Sequence, residues 1–161
     1  MSDKGKTGTM KLHTSRFGDF EVEESSVISI IGGIIGFPGL TKFIMLDYNP
    51  PFSWLQSIEN PDLAFVVVNG AEFGDNYRFP LPIGDRDLDL KEDDDFAIIT
   101  LVSVRPDPSQ TTVNLKAPVV VNLRNRIGRQ VVLDDMKFPM RFPLWASEEV
   151  GETGPKDKEK K

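Results

Sequence analysis

Proline and glycine cut this chain into short pieces, and that punctuation limits what it can fold into. Its 161 residues include twelve prolines and thirteen glycines. Between them lie roughly ten short runs rich in Val, Ile, Leu and Phe, the length of strands rather than helices. No stretch spaces its apolar residues with the helical period of about 3.6. Short strands with exposed edges are protected by curling until the edges meet. The pattern therefore predicts an all-β fold, a small antiparallel β-barrel-like domain with Pro/Gly-rich loops. A β-sandwich is the alternative. Most prolines fall between the runs, where a barrel accepts them.

Taken in order, residues 1–10 carry little to bury and read as a disordered N-terminal extension. A single domain is expected over 11–146, and a charged, disordered tail over 147–161. Leu12, Thr14, Phe20 and Val22 alternate with polar residues about Phe17-Gly18-Asp19, which predicts a hairpin. Residues 27–31 read as a third strand. The glycine-rich stretch 32–40 reads as an ordered turn burying Ile34, Ile35 and Phe37. Further strands are expected at 43–48, 53–58 and 63–68, the last apolar on both faces and so central. Residues 77–81 alternate weakly and are interrupted by Pro80 and Pro82, and 96–104 is the longest β-branched run. The stretch 107–135 reads as a polar run, a break at Pro118, and a hairpin with strands near 118–123 and 129–134. Its turn is Asn125-Arg126-Ile127-Gly128, where Asn and Gly tolerate positive φ. The aromatic, proline-rich stretch 138–145 is expected over the barrel mouth or an edge.

Charge narrows the function classes. The net charge is −6, and an acidic surface repels a phosphate backbone, so direct nucleic-acid binding is disfavoured. The same surface favours a basic protein partner, chiefly through its on-rate. The chain has no cysteine, which fits a reducing compartment and removes thiolate chemistry. The opening residues lack the apolar region of a secretory signal, and no apolar run nears the about 20 residues that span a bilayer. A cytoplasmic protein is expected.

Candidate sites are few. In the acidic run 85–95, Asp85, Asp87 and Asp89 have the first spacings of an EF-hand loop. Leu90 stands where that loop needs Gly, and Phe96 where it needs Glu, so no metal site is expected. The run reads as a solvated loop guarding the next strand, or as an acidic docking surface that includes Asp93, Asp94 and Asp95. His13 is the lone histidine, too little for a zinc site or a triad. The glycines at 32, 33, 36 and 39 fit neither a P-loop nor a dinucleotide fingerprint. Nothing selects a catalytic pair, so no enzyme and no cofactor are expected. Arg124, Arg126 and Arg129 form a local basic spot, either a solvated turn or a contact surface. Phe138, Phe142, Leu144 and Trp145 are expected to pack on the core, or to anchor an interface if exposed. A barrel that binds a small molecule or oligosaccharide in its mouth, stacked on Trp54 or Trp145, is the alternative function.

Several pieces together carry a family likeness. They are Phe17-Gly18 before the alternating strand, Gly36-Phe37-Pro38-Gly39-Leu40, and Asp62-Leu63-Ala64-Phe65-Val66-Val67. The most specific are QTTVNLKAPVVVN at 110–122 and GRQVVL at 128–133. In order and spacing, from about Lys11 to Trp145, the chain resembles the bacterial flagellar assembly factors of the FliW family. The segment 71–95 and both termini depart from that pattern. The resemblance implies a β-barrel-like protein that is not an enzyme. It implies two cytoplasmic protein partners, flagellin before export and the RNA-binding translational regulator CsrA, exchanged in a feedback loop. No direct nucleic-acid or membrane partner is implied. The residues expected to meet partners are Thr111, Asn114, Lys116, Arg124, Arg126, Arg129, Asp93, Asp94, Asp95 and Phe37.

Overall fold

The computed structural model describes residues 8–144. The expected tail, Trp145 and most of the expected lead-in lie outside the described residues. Ten strands are present among those described: β1 (Thr9–Thr14), β2 (Gly18–Glu23), β3 (Ile28–Ile30), β4 (Lys42–Asp47) and β5 (Phe52–Ser57). They continue with β6 (Ala64–Asn69), β7 (Phe96–Ser103), β8 (Thr112–Asn122), β9 (Ile127–Gln130) and β10 (Phe142–Pro143). Strands β3 to β8 pair in sequence order, and β9 pairs with both β8 and β3, which closes a seven-stranded barrel. The all-β, barrel-like expectation is met. Every neighbouring pair is antiparallel except the closing one, where Ser29 meets Ile127 and Ile30 meets Gly128 in parallel. The odd strand count requires this. Seven alternating directions return to the starting one, so the last pair runs the same way.

Alternation sorts each strand into an inner and an outer face. Ile28, Ile30, Phe43, Leu55, Val67, Ile99, Val119 and Val121 fill the barrel interior. The opposite face of β7 and β8 is also covered. Ile98 and Val102 of β7 and Val113 of β8 pack beneath Phe73, Tyr77, Leu133, Phe138 and Leu144, which form an outer layer drawn from residues 70–80 and 131–144. Tyr77 donates its hydroxyl to the Leu115 carbonyl at 2.8 Å and stands edge-on to Phe138 at 5.0 Å. Burial pushes its phenol well above the usual range. The expected packing of Phe138, Phe142 and Leu144 on the core is what the outer layer does, with β10 pairing at the start of β8.

Four readings need correction. The expected lead-in ends sooner, because β1 starts at Thr9 and pairs Thr9 with Glu23 across a full hairpin. The hairpin is a separate two-stranded sheet beside the barrel, tied to it by the Ser15 N–H on the Pro61 carbonyl at 3.0 Å. Pro118 does not break a strand. The register jumps from Ile99↔Val119 to Leu101↔Asn114, so residues 115–118 bulge where β7 demands no N–H from proline. The turn's positive φ belongs to Arg126, at 60°, while Gly128 is already in β9. The glycine-rich turn buries only Ile34, leaving Ile35 65 % and Phe37 39 % exposed. A close turn, with the Phe37 N–H on the Ile34 carbonyl, pushes the residues after Ile34 outward. Gly33 is required there: its φ is +73°, and a Cβ would sit 2.6 Å from the Phe37 carbonyl oxygen.

Candidate functional site

The acidic run is not a solvated loop. Leu88 and Leu90 alternate with its carboxylates and are fully buried against Val120, Ile98, Ile127 and Val131 on the outer wall of the β8–β9 hairpin. The hairpin holds the loop by its backbone. Asn122, itself fully buried, donates Nδ2 to the carbonyls of Leu88 (3.0 Å) and Asp89 (3.2 Å), and Asn125 donates to Leu88 at 3.1 Å.

Two of the three arginines complete this clasp. Arg124 donates Nε and Nη2 to the two oxygens of Asp94, both at 3.0 Å, the planar two-point pairing that guanidinium favours. It also reaches Asp89, whose side chain bonds Lys91 at 2.9 Å. Arg129, on β9, pairs with Asp85 and touches Asp87 at 3.5 Å. The hydrogen bond from Arg124, with the Lys91 N–H, holds the Asp94 carboxyl below its usual range. Arg129 does the same for Asp85, and Lys91 and Arg124 for Asp89. The expected basic spot and the expected acidic surface therefore neutralise each other in part. Glu92, Asp93 and Asp95 stay exposed, with no ion-pair partner among the described residues.

The polar residues before the hairpin serve the bulge. Asn114 Oδ1 accepts the N–H groups of Lys116 and Ala117, both at 3.0 Å. Lys116 Nζ donates to the Leu133 carbonyl at 2.9 Å. Thr111 is buried, and its carbonyl accepts the Leu144 N–H. Phe37 is half-exposed, edge-on to Phe65 at 5.5 Å.

Arg126 has a different place. It lines one mouth of the barrel, a cavity of about 280 Å³ walled by Ile28, Val67, Ile99 and Val121. Its Nη2 donates to the Ser26 carbonyl at 3.1 Å, and its buried Nε has no partner. No sequence signal separates this arginine from its neighbours, because all three stand in one polar turn. Trp54 does not face this mouth. Its neighbour Ser53 does, and Trp54 packs on the outer wall with Phe17 at 5.6 Å, Tyr48 at 5.4 Å and the Arg16 guanidinium at 4.5 Å. The stacking platform expected of Trp54 is thus absent from the mouth. Among the described residues no three His, Asp or Glu side chains gather as metal ligands, and no helix is long and apolar enough to cross a membrane.

Comparison with known proteins gives consistent matches. The family model described as FliW protein matches residues 11–144. A flagellar assembly factor FliW of Caldicellulosiruptor saccharolyticus is 41% identical over 132 residues, covering 80% of this chain and 86% of that protein. Another, from Geotalea uraniireducens, is 37% identical over 148 residues, 90% of each. A crystal structure of the flagellar assembly factor FliW superposes with a TM-score of 0.75 at 29% identity, covering 84% of this chain and 96% of that one.

Proposed function

The chain belongs to the FliW family of flagellar assembly factors, and on that basis we propose that it is a non-enzymatic cytoplasmic regulator that binds flagellin and the translational regulator CsrA in turn. Free of flagellin, it binds CsrA and relieves repression of flagellin mRNA; rising flagellin sequesters it again. Family membership carries this reading, and the carboxylates at the tip of the clasp support its second half. A regulator that grips RNA presents cationic surface to phosphates. Glu92, Asp93 and Asp95 are exposed carboxylates not already engaged by the clasp arginines. They suit such a surface and oppose RNA beside it. Asp94 is the wrong residue for that task, since Arg124 holds both its oxygens.

The test is a competition titration of this protein with CsrA–RNA and with flagellin. RNA release on addition of the protein, reversed by flagellin, is expected. A ternary complex with both proteins bound would contradict partner switching. Asp93→Asn with Asp95→Asn is expected to slow association with CsrA at low salt and to flatten its salt dependence. Unchanged rates at both salt concentrations would remove these carboxylates from the interface.

A further inference from the structure

Of the three hairpin arginines, Arg126 alone forms no ion pair among the described residues, on a chain with 25 acidic residues. Its side chain makes one hydrogen bond, to Ser26, and its Nε is buried without an acceptor. A buried, unanswered donor in a folded protein asks for an explanation. The cavity is walled mainly by Ile28, Val67, Ile99 and Val121; Ser53 and Asn69 are its other polar lining residues, and neither gives the Arg126 Nε an acceptor. The cavity, about 280 Å³, holds roughly the volume of nine waters, enough for one large apolar side chain and small for a drug-sized ligand. Its rim is apolar and open, with Met45 37 % and Leu123 40 % exposed. Exposed apolar rims about a pocket with one arginine are the composition of a protein-contact hot spot.

We propose that this mouth receives a protein segment carrying a large apolar side chain next to a carboxylate. The side chain fills the cavity, the carboxylate meets Arg126, and Met45 and Leu123 close over the contact. The inference rests on the two-partner reading and divides the surface between the partners. A cationic RNA-binding protein is drawn to the clasp carboxylates and is a poor match for a lone guanidinium. The mouth is therefore assigned to flagellin. The two partners then exclude each other from neighbouring faces of one hairpin, because Arg126 sits in the turn between the β8 residues that hold the clasp and β9.

The experiment measures affinities of purified flagellin and purified CsrA for the full chain and for two variants, Arg126→Glu and Leu123→Asp. Each variant is expected to lose at least about tenfold in flagellin affinity, while CsrA affinity stays within about twofold. Leu123 is surface-exposed, so its variant keeps the test valid if Arg126→Glu folds poorly. Octanoate is expected to compete with flagellin, and octanol not. Flagellin affinity within about twofold of the parent in both variants overturns the assignment, as does an equal loss for both partners. If the unaltered chain binds neither protein, the two-partner reading itself has failed.

Discussion

Arg124 and Arg126 stand two positions apart in one turn and live in opposite chemistry. Arg124 faces the outer wall and holds both oxygens of Asp94. Arg126 faces the mouth, among Ile and Val side chains, and holds one backbone carbonyl. The difference lies in which side of a closed wall each side chain takes. On the outer side the chain returns with a carboxylate-rich loop that pairs with Lys91, Arg124 and Arg129. On the inner side, the strands line the mouth with Ile and Val side chains and bring no carboxylate of their own. A cation there stays available to something that arrives from outside. The clasp spends its charges on the fold, and the mouth keeps its charge in reserve.

If the clasp is structural, its apolar pegs matter more than its ion pairs. Leu88→Ala is expected to have the largest effect. A fully buried leucine removed from a packed site costs about 2–5 kcal/mol, and the loop's freedom to lift off places this one near the lower end. The denaturant midpoint measures it. A loss below about 0.5 kcal/mol, the level of an ordinary surface change, would mean the loop contributes nothing to the barrel. Asn122→Ala comes next, at about 1–3 kcal/mol, because two loop carbonyls and the Arg124 N–H lose their partner in a buried site. The double variant is expected to fall short of the sum, since Asn122 grips the backbone that carries Leu88. Strict additivity would separate the two and weaken the picture of one clasp.

The barrel was legible from punctuation and alternation, but the seven-strand count and its one parallel seam were not, since the sequence pointed to an antiparallel barrel throughout. Val119 and Val121, two apart in the apolar run, both enter the interior. Less legible was whatever depends on long-range partners. In DRDLDLKEDDD the carboxylates hide two leucines spaced by two, the one local sign that the run has a buried edge. Pro118 reads as a break until it falls in the bulge facing the Ile99–Leu101 stretch, with Asn114 capping the displaced N–H groups. Ile35 and Phe37 read as core by residue type, while turn geometry points them outward. Of the contact residues expected near 111–116, Asn114 binds the N–H groups of Lys116 and Ala117, and Lys116 reaches the Leu133 carbonyl. The split among the three arginines has no trace in sequence, because only the wall between them distinguishes them.

The smallest expected effect is also the most specific to the clasp: the pH dependence of the Asp94–Arg124 pair. An exposed ion pair contributes little, so Asp94→Asn is expected to shift the denaturant midpoint only slightly at neutral pH. The sign of its acid dependence is fixed. Arg124 stays charged throughout, and its partner Asp94 has a carboxyl held below the usual range in the folded protein. An unfolded Asp titrates near about 3.9. Between that value and the lower folded one, the unfolded chain binds more protons, so stability rises with pH across this window. The parent's advantage over Asp94→Asn is therefore whole at pH 7 and at pH 5, shrinks as pH falls below about 4, and disappears once the folded carboxyl protonates. Asp85 and Asp89 titrate in the same direction and remain in the variant, so both proteins weaken in acid and only their difference reports on Asp94. A difference that survives at the lowest pH where the barrel stays folded would mean that Asp94 acts by shape, through the Lys91 N–H, rather than by its charge on Arg124. A difference that closes in that window ties the loop to the hairpin electrostatically.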